Sequence, residues 1–150
     1  ELKAAKLWRD EYEDDDRSWF ENTINLIRQR FFTLKDFSSQ GRAYFSEDFD
    51  FDPAAIEKNL NKFPDLKIWL PELADRFETE FDTLPYTEEN IETVVKAFTE
   101  EKATKLGVIM NGARTLLTGV AVGPSMLSVF EILGKDRSIL RLKSQVVWNI

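Results

Sequence analysis

The chain has 150 residues, 43 % hydrophobic and 31 % charged, with 20 basic and 27 acidic side chains and a net charge of −7 at pH 7. That is enough apolar material for one ordinary domain or two small ones with a buried core. With no Cys and no His, the sequence excludes disulfides, thiolate zinc sites, cysteine or histidine nucleophiles and histidine general bases.

The opening segment, ELKAAKLWRDEYEDDD, is too charged for a signal peptide, and its lack of an initiator Met points to a piece of a longer protein. Its acidic run DEYEDDD lacks the Gly and the distal Glu of a calcium-binding loop and reads as a solvated helix face. In SWFENTINLIRQRFF the apolar residues Trp19, Phe20, Ile24, Leu26, Ile27 and Phe31 recur at steps of three and four, as one buried helix face requires. Arg28 and Arg30 close that helix. Two readings of them stay open: they neutralise the negative helix end, or their planar five-donor forks reach a base edge or a phosphate. Thr33 opens TLKDFSSQGRAYF as an N-cap, with Asp36 three residues on in the manner of a capping box, and Gly41 interrupts before Arg42. In SEDFDFDPAAIEKNL, Asp52 is placed to cap and Pro53 to take the first helical position. This acidic, aromatic joint is the expected boundary between a first subdomain, residues 1–50, and a second, residues 51–150.

Beyond it, DLKIWLPELADRFETEF carries Pro71, which is expected to start a helix or kink one. LPYTEENIETVVKAFTEEKA has Thr87 as cap, Glu88 and Glu89 at the positive helix end, and a stripe of Ile91, Val94, Val95 and Phe98. KLGVIMNGARTLLTG reads as a helix weakened at Asn111-Gly112. GPSMLSVFEILG and KDRSILRLKSQVVW complete the series, with Gly134 as a helix C-cap and Asp136 as the following N-cap. Strand signals are scarce, so the expected fold is all-α, a bundle or cage of short helices in two packed subdomains. No apolar run approaches the about 20 residues that span a bilayer, and no membrane partner is expected.

Charge is unevenly spread. Residues 1–100 hold 13 basic and 24 acidic side chains, whereas residues 101–150 hold 7 and 3, a basic zone attached to an acidic body. Within that zone GARTLLTG fails as a phosphate-binding loop, because Gly119 is followed by Val120 where a Lys is required. A dinucleotide fingerprint fails for want of strand-helix-strand alternation. TGVAVGP reads either as a short hairpin or strand, or as a helix-loop-helix corner. In the second case its glycines allow positive φ or close approach to the backbone, near a helix N-terminus suited to base edges or phosphates. Packing alone also accounts for such glycines.

The elements R-x-x-L-T-G (Arg114 to Gly119), G-P (Gly123-Pro124) and L-G-K-D-R-x-x-x-R-L (Leu133 to Leu142) resemble the C-terminal anticodon-binding region of bacterial-type glutamyl-tRNA synthetase. Upstream, R-x-R-x-x-T-L-K-D from Arg28 to Asp36 and F-S-E-D from Phe45 to Asp48 match in order and approximate spacing, so the resemblance covers nearly the whole chain. One departure is Gly112-Ala113, where many members have Pro-Leu. The resemblance implies an all-α cage holding the anticodon loop of glutamate tRNA, in a monomeric cytoplasmic enzyme. It implies that ATP and Mg²⁺ belong to an N-terminal catalytic domain whose signatures do not occur here, so that this chain binds and does not catalyse. It assigns the last anticodon base to Arg30 first and Arg28 second, which helps reject glutamine tRNA. It assigns the first and middle bases to the loop through Gly123, Pro124 and Met126, with Arg114 beside it. Arg114, Lys105, Lys135, Arg137, Arg141 and Lys143 are then expected on phosphates. The alternative is a helical interaction module that docks a partner protein through its apolar C-terminal loop.

Overall fold

Helices form where the apolar spacing asks for them. In this computed structural model, which describes residues 1–31 and 33–149, no strand occurs among the described residues. The all-α expectation holds. The chain divides into two compact units, Glu1–Asp50 and Phe51–Ile150.

In the first unit a 3-10 turn at Asp10–Glu13 buries Tyr12 alone and leaves its acids in solvent. Helix α1 (Arg17–Ile27) follows, and Arg28–Arg30 tighten into a further 3-10 turn. The unit is held by rings. Tyr12 stacks on Phe20 at 4.9 Å, Trp8 meets both edge-on at 5.5 and 5.4 Å, and Phe45 approaches Tyr12 and Trp19 at 6.2 Å. Each such pair contributes about 0.5–1.5 kcal/mol beyond area burial. Of the expected stripe only Ile27 is fully buried; Trp19, Phe20, Ile24, Leu26 and Phe31 are half-buried, and Phe32 at the end of that segment lies outside the described residues. Helix α2 (Leu34–Ser38) starts as expected, with the Thr33 N–H donating to Asp36 Oδ2 at 2.9 Å. Gly41 then separates it from α3 (Arg42–Phe45).

In the second unit α4 (Pro53–Ile56) opens with Pro53 at its first position and the Ala54 N–H donating to Asp52 Oδ1 at 3.0 Å; it passes directly into a π-helical turn, Glu57–Asn61. Helix α5 (Leu66–Glu80) does not start at Pro71 but contains it. The proline forfeits one backbone donor, but Leu66, Leu70, Leu73, Ala74 and Phe77 are all fully buried, and such tertiary packing outweighs the local loss. Helix α6 (Glu88–Glu101) has its expected cap, the Asn90 N–H donating to Thr87 Oγ1 at 3.3 Å, and buries Ile91, Val94, Val95 and Phe98. Glu131 adds a second cap, accepting from the Glu88 N–H at 2.9 Å.

Helix α7 (Leu106–Thr118), α8 (Met126–Leu133) and α9 (Lys135–Leu142) complete the unit. Gly134, at φ 86°, ends α8 and begins α9, so Asp136 lies inside the first turn of α9 and is not its N-cap. The last predicted helix is likewise shorter than expected, giving way after Leu142 to a 3-10 turn at Val146–Asn149. Helix α5 packs against α6, α7 and α9, and α8 against α6 and α9. Phe77 and Phe130 meet at 5.4 Å in this core. No helix among the described residues is long and apolar enough to cross a membrane.

Gly112 lies in mid-α7, which continues through it. A Cβ there would stand 2.7 Å from Leu66 Cδ1 and 3.5 Å from Leu70 Cδ1, so the missing side chain is what lets α7 press onto α5. Gly107, in the first turn of the same helix, has open space around it. The two glycines should therefore respond oppositely in chemical denaturation. Gly112→Val should cost about 1–3 kcal/mol by overpacking, and Gly107→Ala should gain about 0.4–1 kcal/mol; equal responses would refute the close-approach account.

Candidate nucleic-acid interface

The R-x-x-L-T-G element is the C-terminal turn of α7. The Thr118 hydroxyl donates back to the Arg114 carbonyl at 2.8 Å, and Gly119 takes the left-handed conformation at φ 78° that ends the helix. The Gly119 carbonyl accepts from the Asp52 N–H at 2.7 Å, tying this corner to the start of α4. The chain then forms an irregular loop to Ser125, the N-cap of α8, so the helix-loop-helix reading of TGVAVGP is the right one.

The loop sorts its residues by depth. Pro124 is buried and Met126 is 4 % exposed, so both lie under the loop. Val122 is 73 % exposed and Ser125 is in solvent. The apolar surface available to a partner is thus Val122, which the sequence reading passed over. A β-branched residue between Gly119 and Gly123 in a short loop, with Pro124 turning inward after it, was the signal that could have found it. Arg114 is half-buried and lies next to Gly123, its Nη1 shielded from solvent.

The expected phosphate contacts do not form one set. Lys105 precedes α7, whose 13 residues put it about 20 Å along the helix from Gly119. Arg141 is 4 % exposed and its Nη1 donates to the Leu117 carbonyl at 2.6 Å. That corrects the reading of Arg141 as an outward phosphate ligand: a helix C-terminus leaves its last carbonyls without partners, and this guanidinium supplies one. Arg137 does the same for α8, Nε donating to the Leu133 carbonyl at 2.9 Å. Lys143 is held between Asp75 at 3.0 Å and Glu78 at 3.2 Å, and hydrogen bonds to these two raise its pKa. Lys135 is half-buried in the first turn of α9. In the first unit Arg28 and Arg30 are both exposed on the 3-10 turn that ends α1.

A short loop at the end of one helix, with Val122 as its exposed apolar tip and Ser125 in solvent, can present N–H and C=O groups to the edges of unpaired bases. Two exposed arginines on a tight turn can present guanidinium forks to the same kind of target. The comparisons point the same way. Glutamate-tRNA ligase of Desulfotalea psychrophila is 43 % identical over 143 residues, covering 95 % of this chain and 28 % of the relative. That of a Thermus thermophilus strain is 32 % identical over 141 residues, covering 94 % and 27 %. A crystal structure of a glutamate tRNA ligase from Elizabethkingia meningosepticum in complex with its amino acid superposes with a TM-score of 0.69 at 25 % identity, covering 83 % of this chain and 24 % of that one. The chain thus spans about a quarter of the length of the proteins it resembles. The family described as anticodon binding domain matches residues 2–146, and the chain belongs to that family.

Proposed function

We propose that this chain is the anticodon-reading part of a cytoplasmic glutamate-tRNA ligase, holding the anticodon loop of glutamate tRNA while a catalytic domain of the same protein attaches glutamate. The observation that carries this is the 43 % identity over 95 % of the chain with only 28 % of a glutamate-tRNA ligase. The comparisons bring no support to the protein-docking alternative. We read the two compact units as first and second anticodon-binding subdomains. We assign ATP and Mg²⁺ to that catalytic domain; among the described residues no group of three or more acidic side chains converges where a metal ion could be held.

In this reading Arg30, with Arg28 beside it, donates to the last anticodon base from the exposed turn after α1. The 119–125 loop offers backbone groups and the Val122 side chain to the first and middle bases, with Pro124 and Met126 as its support. Free base edges and stacking make single-stranded loops the natural target, and each good contact contributes about 1–3 kcal/mol. Of the cations in the C-terminal third, Lys105 and Lys135 are the candidates for phosphate, since Arg137, Arg141 and Lys143 are engaged within the unit.

Binding of a stem-loop bearing the glutamate anticodon should exceed that of one with an unrelated anticodon, and should fall by less than about tenfold between about 50 and 200 mM salt, as association through two phosphate contacts does. Arg30→Ala should reduce discrimination at the last anticodon base roughly ten- to a hundredfold. An unchanged ratio would remove Arg30 from the site. Arg141→Ala should behave differently, lowering the unfolding free energy by about 1–3 kcal/mol in urea while leaving the salt slope intact.

A further inference from the structure

An asparagine lies on the apolar face of α4 and the π-helical turn that continues it. Ala55, Ile56, Asn59 and Leu60 are buried there, whereas Glu57, Lys58, Asn61 and Lys62 face solvent. Asn59 is 5 % exposed, and burying an amide is costly unless it is hydrogen-bonded. Its partner is on α7. Asn59 Nδ2 donates to Thr115 Oγ1 at 3.1 Å, and the fully buried Thr115 hydroxyl donates in turn to the Asn111 carbonyl at 3.0 Å. Burial and a bond on each side of the hydroxyl hold both side chains in place.

The bond is flanked by two other ties between the same segments. The Asp52 N–H donates to the Gly119 carbonyl at 2.7 Å, and Leu60 Cδ2 would stand 3.6 Å from a Cβ built on Gly112. Residue numbers rise along one segment as they fall along the other, so residues 52–60 run antiparallel to the C-terminal half of α7. The Leu60 contact is apolar and has no direction, and the Asp52 bond holds only the turned end. The Asn59 bond joins two buried side chains and has a direction, which is how a single buried asparagine fixes the register of packed helices. We propose that Asn59 and Thr115 are positioning residues, setting the register and rotation of the C-terminal half of α7 and so the direction in which the 119–125 loop leaves Gly119. Neither meets solvent or RNA; they act through the loop. This deepens the anticodon-reading proposal and rests on it for its partner.

Discrimination base by base tests it, as the ratio of Kd values of the 150-residue chain for a glutamate-anticodon stem-loop and for stem-loops altered at the middle or the last anticodon base. Thr115→Val keeps the shape and removes the acceptor. It should lower discrimination at the middle base about five- to tenfold and leave that at the last base, assigned to Arg30 in the first unit, within about twofold. Thr115→Ser keeps the hydroxyl and should retain both. Asn59→Leu combined with Thr115→Val replaces both polar partners by apolar ones, so it should recover the parent's urea midpoint but not the direction of the bond, and lose the middle base as the single variant does. Ile91→Val, which removes one buried methyl from α6, is the control for destabilisation alone and should leave both ratios unchanged. An unchanged middle base in Thr115→Val, equal losses at the two bases, or recovered discrimination in the doubly apolar chain overturns the proposal. If the parent chain fails to prefer the glutamate anticodon, the functional reading falls by itself. Hydrogen exchange then decides the positioning role: Thr115→Val should speed exchange of the amides of residues 119–123 about tenfold and Ile91→Val should not, whereas equal rates in the two variants overturn it.

Discussion

Arg141 is a cation with almost no contact with water, and the second unit is arranged around where its donors go. Removing a guanidinium from solvent is costly unless it finds acceptors of good geometry. Here the 2.6 Å bond to the Leu117 carbonyl supplies one, on the last turn of α7. The carbonyl gains as well, since the final carbonyls of a helix have no partner inside it. Two sequence elements well apart along the chain are thereby joined: the R-x-x-L-T-G turn receives a donor from the closing L-G-K-D-R-x-x-x-R-L.

The position of α7 follows from that joint and from two others. At its middle, Gly112 admits Leu66 and Leu70 of α5 to within contact of the backbone. At its end, Gly119 turns the chain and the Asp52 N–H fixes the turned carbonyl. A buried pair adds direction, with Asn59 Nδ2 donating to Thr115 Oγ1 at 3.1 Å from the π-helical turn. The loop after Gly119 thus departs from a helix held along its length, which is the condition for a short loop to present the same backbone groups each time a partner arrives.

Charge in this unit works inward more than its distribution along the chain suggests. Lys102 pairs with Glu72, Arg76 with Glu101 and Lys143 with Asp75 and Glu78, so cations and acids of α5, the end of α6 and the segment after α9 neutralise one another. Exposed pairs of this kind contribute little each. Their consequence is that the C-terminal excess of positive charge is not a free electrostatic surface.

Apolar spacing, caps and turn residues were enough to give the all-α class, the start of α4 at Asp52-Pro53, the cap and stripe of α6, and the ends of α7 and α8 at Gly119 and Gly134, because each depends on residues a few positions apart. Motif spacing was enough to give the family, since R-x-x-L-T-G, G-P and L-G-K-D-R-x-x-x-R-L occur in order. What lies between distant segments was decided only in three dimensions. Pro71 sits inside α5 because packing of that helix outweighs one lost hydrogen bond. Gly112 is a contact point, because α5 lies against it. Arg141 and Arg137 face inward onto helix carbonyls, and Met126 lies under the loop while Val122 lies on it. A sequence shows that a side chain can donate, or can be buried, but which acceptor it meets and which side of a loop it takes depend on neighbours far along the chain, brought there by burial of the same apolar stripes that the sequence does reveal.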